Sequence, residues 1–218
     1  MKTTKKALLL TVCALVLVAA TIMGTMAYLT AQDTVVNTFV AGKLIEKDED
    51  FMLKEHKAVR QTSGSYELGE DLVQANEYVV IPGKNLPKDP FVSVKVQAAG
   101  YLFVEVVDKM PETMTWAIDD TQWTQLMDGS DPVLKEGNPV YFYKNGPIAP
   151  AEDPLTINIL KDQQVVVSPD LDVDALSTAD DVAAKTLSFN GYLIQAEAEG
   201  FDSPLAAWAG MVAELAKP

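Results

Sequence analysis

From Tyr78 onward, apolar and polar residues alternate in short runs. In the segment 91–98 the valines and one alanine occupy the even-numbered positions, while Ser93, Lys95 and Gln97 occupy odd ones. A period of two is typical of a half-buried strand. The segment 101–107 alternates in the same way, and only two residues separate the runs, so the pattern predicts a β-hairpin here.

Four further runs carry the same signal, and turn residues separate them. They lie at 140–143, 155–159, 164–167 and 187–198. The intervening dipeptides include Asp128-Gly129 and Asn145-Gly146, which favour turns. Because no strand–helix–strand rhythm appears, the pattern predicts an all-β chain with a jelly-roll-like antiparallel β-sandwich.

The end of the chain changes period. Ser203 suits a helix N-cap and Pro204 suits the first helical turn. The apolar residues that follow at helical spacing are Leu205, Trp208, Val212 and Leu215. The sequence therefore predicts a short C-terminal helix that covers part of the sandwich.

The beginning of the chain has the layout of a secretory signal peptide. A basic head precedes an uncharged, largely apolar run over 7–23, and Thr25 and Ala27 then occupy the spacing that a signal peptidase reads. We therefore expect a signal peptide over 1–27, cleavage before Tyr28, and a secreted or cell-surface protein. The alternative is an uncleaved segment that anchors the chain, which would then be its one contact with a membrane.

The remaining chain divides by composition. All twelve prolines lie at or after Pro82. We expect an N-terminal strand and charged excursion over 28–60, followed by a β-sandwich domain with its helix over 61–218. The charge-rich part, Lys43 to Arg60, is consistent with a short exposed helix or a loop.

Charge and cysteine content narrow the function. The net charge is −14, and loss of the three leader lysines would make it −17. Such a chain repels phosphates, so we expect no nucleic-acid partner. The one cysteine, Cys13, lies inside the apolar run, which leaves no disulfide for the exported part.

Enzymatic chemistry finds little support. His56 is the one histidine, so the two-histidine motif of common zinc peptidases is absent, and its charged surroundings indicate a solvated surface residue. A carboxylate pair for glycoside hydrolysis stays open, since no pair stands out. We expect no enzyme activity.

Two binding alternatives remain. Four acids could contribute oxygen ligands for calcium, although the turn glycine of an EF-hand loop is missing. These acids are Asp170, Asp172, Asp174 and Asp181. Aromatic residues could line a glycan groove, but core packing is the favoured interpretation. They are Trp116, Trp123, Tyr141, Phe142, Tyr143 and Tyr192. We expect no cofactor other than weakly bound calcium.

Several blocks resemble the TasA and camelysin family of exported proteins, which depend on a SipW-type signal peptidase. The segment 24–42 contains Gly-Thr-Met-Ala, then Tyr28, and later Asn37-Thr38-Phe39-Val40-Ala41-Gly42. Pro82-Gly83 followed by Lys88-Asp89-Pro90 is similar to an internal block of the family, and 190–201 with Trp208 resembles the end of some members. The resemblance implies processing by that peptidase and a jelly-roll core. It also implies matrix fibres in which a subunit donates its N-terminal strand.

The residues after the cleavage site fit such a strand. The segment 28–40 has no proline and high strand propensity, and no lysine interrupts it before Lys43. The residues expected at a self-association seam are Val35, Val36, Phe39 and Val40. Donation to a neighbour and pairing within the same chain stay open. The sequence thus favours a secreted structural protein of the cell surface or biofilm matrix that forms homo-oligomers or fibres; a calcium- or glycan-binding module, or less readily a hydrolase, is the alternative.

Overall fold

A computed structural model describes residues 30–33, 44–172, 186–196 and 200–215. Two 3₁₀ turns lie at Asp48–Asp50 and Lys161–Gln163, and one helix, α1, spans Pro204–Leu215. The strands are β1 (Thr30–Asp33), β2 (Phe51–Arg60), β3 (Tyr66–Val73), β4 (Leu86–Pro87), β5 (Phe91–Val94), β6 (Gly100–Asp108), β7 (Met114–Thr115), β8 (Trp123–Gln125), β9 (Met127–Asp128), β10 (Asp131–Pro132), β11 (Leu134–Lys135), β12 (Asn138–Tyr143), β13 (Leu155–Asn158), β14 (Gln164–Val167) and β15 (Leu187–Gln195).

The strands form two main antiparallel sheets. The first sheet has the order β1-β15-β6-β12-β11, with β8 also paired to β12, and the second has the order β13-β5-β2-β3. Two smaller groups, β9 with β10 and β14 between β4 and β7, lie beside them. The chain crosses between the main sheets from β1 to β2, from β5 to β6 and from β12 to β13, so the predicted all-β sandwich with a short C-terminal helix is confirmed.

The main core lies between the two sheets. Val92 and Ile157 of the second sheet are buried in one cluster with Val104 and Leu193 of the first. The sheets come close at Gly191, where an added Cβ atom would lie 3.1 Å from Cζ of Phe51. Alternate residues of each strand therefore fill the interior, as the period of two predicts.

A second core covers the outer face of the first sheet. Trp208 of α1 packs on the rings of Phe103 and Tyr192, and the distance between ring centroids is 5.2 Å in each pair. Ser203 caps α1, because its hydroxyl accepts a hydrogen bond from the Ala206 backbone N–H at 3.2 Å. The cap and the burial of Trp208 confirm those two predictions.

The predicted stripe of α1 is wrong at its end. Val212 and Leu215 are 42% and 56% exposed, while Ala207 and Met211 are buried beside Trp208. The helix therefore turns a narrower face to the sheet than the apolar spacing predicted.

The predicted hairpin over 91–107 is also wrong. β5 pairs with β2 and β13 of the second sheet, whereas β6 pairs with β15 and β12 of the first. All four residues of β5 are buried, so this short strand needs a neighbour on both sides, and β2 and β13 supply them. The link through Gly100 crosses between the sheets, and its backbone pairs with Ile148 instead.

The segment from Lys43 to Arg60 is not a helix or loop over most of its length. After a 3₁₀ turn it forms β2, whose residues Phe51 and Glu55 are 4% and 3% exposed. Sequence alternation did not predict β2 because the interior position 55 is occupied by a charged glutamate. The charge of Glu55 is paired inside the fold with Lys88.

Candidate functional site

The outer edge of the first sheet is the main candidate for a site of association. β1 pairs with β15 in antiparallel register, from Thr30 opposite Ile194 to Asp33 opposite Gly191. On its other side β15 pairs with β6 along its whole length, Leu187–Gln195. Along Leu187–Asn190, no described residue pairs with the β1 side of β15.

The other sheet edges are less suited to strand addition. β11 has two residues and β13 has four, and the Asn158 carbonyl of β13 accepts a hydrogen bond from Trp123 Nε1 at 2.7 Å. β3 is longer, but the pairing of β2 with β3 shifts register between His56 and Ala58. β3 also carries Glu67, Glu70 and Asp71. Short strands, charges and bulges discourage pairing with another chain.

A pair of charge contacts joins β2 to the segment before β5. Lys88 Nζ lies 2.8 Å from Glu55 Oε2, and the side chains are 13% and 4% exposed. Asp89 accepts hydrogen bonds from the His56 backbone N–H at 3.0 Å and lies 2.6 Å from its Nδ1. Sequence reasoning missed both contacts, although Lys88-Asp89-Pro90 had been singled out as a motif.

His56 is therefore more constrained than predicted. Its side chain is 39% exposed, as a surface residue would be, but Asp89 fixes the ring and Phe91 lies 5.7 Å away between centroids. The expectation of a simply solvated histidine is wrong in that respect. One carboxylate and one ring do not make a metal centre, and the described ranges contain no group of three or more possible ligands around them.

Lys88 binds only one of the two carboxylate oxygens of Glu55, Oε2. The other oxygen, Oε1, is buried and has no hydrogen-bond partner among the described residues. A buried carboxylate oxygen without a donor is unfavourable, and native structures contain few such groups. Nearby, the pKa of Tyr78 is raised because its hydroxyl is buried and the negative charges of Glu55 and Asp89 oppose its ionisation.

A second buried carboxylate, Glu105, lies on the outer face of the first sheet. Its Oε2 accepts hydrogen bonds from the Tyr192 hydroxyl at 2.7 Å and from Asn190 at 3.1 Å. Asn138 donates to its Oε1 at 2.8 Å, and Lys135 Nζ lies 3.4 Å from Oε2. Burial alone would raise the pKa of Glu105, but these hydrogen bonds and the lysine charge outweigh it and lower that pKa. The network is satisfied, so it joins β6, β11, β12 and β15 as a structural unit.

The predicted calcium ligands are not brought together within the described residues. Asp170 and Asp172 lie in an exposed turn after β14, and the Asp170 backbone N–H donates to Ser168 Oγ at 3.1 Å. Asp174 and Asp181 lie outside those ranges. The described part of the chain contains no group of three or more histidine, cysteine or acidic residues that could hold a metal ion. Calcium binding stays a prediction.

The aromatic residues mainly support packing. Trp123 and Tyr192 are 1% and 0% exposed, which confirms the favoured interpretation for those two. Trp116, Tyr141, Phe142 and Tyr143 are half-buried. Glycan binding by these four residues stays a prediction.

Several predicted residues fall outside the described ranges. The processing residues Thr25, Ala27 and Tyr28 and the seam residues Val35, Val36, Phe39 and Val40 are all among them. Their roles stay predictions. Within the described ranges, no helix has the length and apolar character needed to cross a membrane.

Comparison with known proteins adds no assignment. No family model, no curated protein and no solved structure matches the chain.

Proposed function

We propose that this chain is an exported structural protein of the cell surface or biofilm matrix, without enzymatic activity, that associates with copies of itself through its N-terminal strand. The observation that carries the proposal is the edge position of β1 among the described strands, where its four residues pair with β15. The signal peptide expected over 1–27 and the resemblance to exported matrix proteins support the same proposal.

The weak attachment of this strand permits its exchange between copies. Each backbone hydrogen bond contributes only about 1 kcal/mol net, so four paired residues hold β1 weakly. An identical edge on a second copy offers the same bonds, which is the condition for domain swapping and for strand addition. Burial of the seam residues Val35, Val36, Phe39 and Val40 would add about 1.5–3 kcal/mol for each large apolar side chain.

The direct test combines mass and imaging. The intact mass of the protein recovered outside the exporting cell is expected to correspond to residues 28–218, and concentrated material is expected to show filaments by electron microscopy. A Val36→Lys variant places a charge in the seam and is expected to abolish filaments, while the matched change Val79→Lys, at an exposed loop residue, leaves them intact. Correctly processed protein that stays monomeric at all concentrations would refute the structural role.

A further inference from the structure

Two Asn-Gly dipeptides occur in the chain, and the fold places them in opposite settings. Asn145-Gly146 follows β12 in an exposed turn, whereas Asn190-Gly191 lies inside β15. Such a dipeptide is chemically reactive, because a glycine has no Cβ atom to keep its nitrogen away from the side-chain amide carbon of the preceding asparagine. The asparagine must rotate before the two atoms can meet, so the surroundings decide whether the reaction occurs.

We propose that Asn145 is a self-modification site, at which the backbone nitrogen of Gly146 attacks Cγ of the Asn145 side chain. The new N–Cγ bond closes a succinimide ring, the Cγ–Nδ2 bond breaks, and Nδ2 leaves as ammonia with the proton of the Gly146 amide. Water then adds to either carbonyl carbon of the ring and opens it to aspartate or isoaspartate. The reaction needs no oxidant, reductant or cofactor, and the inference does not depend on the proposed function.

The turn leaves Asn145 free to reach the reactive geometry. Asn145 is exposed, and its Nδ2 donates a 3.1 Å hydrogen bond to the Tyr143 hydroxyl at an exposed site, where water competes for both groups. Gly146 has a φ of 92°, a conformation that glycine adopts without steric penalty. A Cβ atom added at Gly146 would meet nothing within 4 Å, so no neighbouring group crowds the ring that must close.

The sheet holds Asn190 away from the same geometry. Asn190 lies opposite Glu105 of β6, and Gly191 lies between Val104 of β6 and Asp33 of β1. The Asn190 Nδ2 also donates to Oε2 of Glu105 at 3.1 Å. Rotation of Asn190 toward Gly191 would break this part-buried hydrogen bond and disturb the ladder, so reaction there requires the sheet to open.

The turn can accept the product without loss of the strands beside it. Before the tip, the Lys144 backbone N–H is hydrogen-bonded at 2.9 Å, and after it Ile148 and Gly100 exchange backbone hydrogen bonds of 2.7 and 3.0 Å. Isoaspartate lengthens the backbone by a methylene group between these two anchors, where the exposed tip can take up the extra length. The Tyr143 hydroxyl, which accepts from Asn145, can instead donate to the new carboxylate.

Peptide mapping by mass spectrometry tests the site after the purified protein is incubated in warm, mildly alkaline buffer. Conversion adds about 1 Da to the peptide that contains the asparagine, and labelling by an isoaspartyl methyltransferase identifies isoaspartate. Asn190-Gly191 in the same molecule is the matched control. In folded protein the Asn145 peptide is expected to be converted about tenfold more than the Asn190 peptide, and in urea-unfolded protein the two should agree within about threefold.

A variant links the product to this turn. Asn145→Gln lengthens the side chain and is expected to remove most of the more acidic species that ion-exchange chromatography separates during incubation. Its unfolding equilibrium constant should change less than about threefold, because the site is exposed. Acidic species that form at the same rate in Asn145→Gln would overturn the proposal. Equal conversion of Asn145 and Asn190 in folded protein, or an Asn145 peptide that reacts only in urea, would overturn it as well.

Discussion

The Glu105 network makes a quantitative prediction for Tyr192. This tyrosine is fully buried, and its hydroxyl donates a 2.7 Å hydrogen bond to a carboxylate that is itself 1% exposed. Tyr192→Phe removes the hydroxyl but keeps the ring that packs on Trp208. Hydrogen bonds to charged groups contribute about 1.5–3 kcal/mol, so we expect the free energy of unfolding to fall by that amount.

Urea denaturation at pH 7 measures this loss, with Tyr101→Phe as the control. Tyr101 packs against the same core but takes no part in the Glu105 network. Because the folded pKa of Glu105 lies below its ordinary value of 4.5, its contribution is present above about pH 4.5 and is lost as pH falls through the folded pKa. The Tyr192→Phe deficit should therefore shrink in acid. A deficit below about 0.5 kcal/mol at pH 7, or one equal to the control, would show that the hydroxyl does not stabilise the buried carboxylate.

Four further outcomes are expected. Lys88→Met leaves Glu55 as an uncompensated buried charge, and urea denaturation should show a fall of about 3–5 kcal/mol in the free energy of unfolding. Adding Glu55→Met should recover most of this loss, whereas losses that simply add in the double variant would contradict the expectation. Gly191→Ala should cost about 1–3 kcal/mol because its Cβ would crowd Phe51, and a neutral result would show that the sheets can separate. Burial raises the folded pKa of Tyr78 above its ordinary value of 10.0, so the contribution of this residue to the free energy of unfolding is complete below pH 10 and is lost as the pH rises further. Tyr78→Phe should therefore make the loss of stability at alkaline pH less steep, and an unchanged slope would contradict this role of Tyr78. Light scattering of the concentrated protein should increase with salt up to about 0.1 M as repulsion between acidic copies is screened, and a flat response would count against self-association.

The alternation of apolar residues was sufficient to predict six of the fifteen described strands, and the change to helical spacing predicted the helix. The strands at 100–108, 138–143, 155–158, 164–167 and 187–195 all overlap runs of period two. The helix was found because Ser203 and Pro204 mark its start. These signals are local, so a single sequence contains them.

The arrangement of the strands could not be predicted in the same way. Alternation identifies which face of β5 is apolar, but it does not say whether β6 or β2 lies beside it. β2 itself was missed because a charged residue, Glu55, occupies an interior position. Its partner Lys88 is 33 residues away, and nothing local reveals the pair. The pairing of β1 with β15 was equally hidden, since the two strands are separated by most of the chain.

The two adjacent pairs, Glu55 with Lys88 and His56 with Asp89, explain why consecutive charges occur in both segments. Neighbouring residues of a strand point to opposite faces, so Glu55 is directed inward to Lys88 while His56 is directed outward to Asp89. If β2 slipped by one residue against β5, Glu55 would point outward and His56 inward, and both pairs would be broken together. The two pairs therefore fix the register of these strands where β5 begins. Lys88 also compensates the charge that this register places inside the fold, because its Nζ lies 2.8 Å from the inward Oε2 of Glu55.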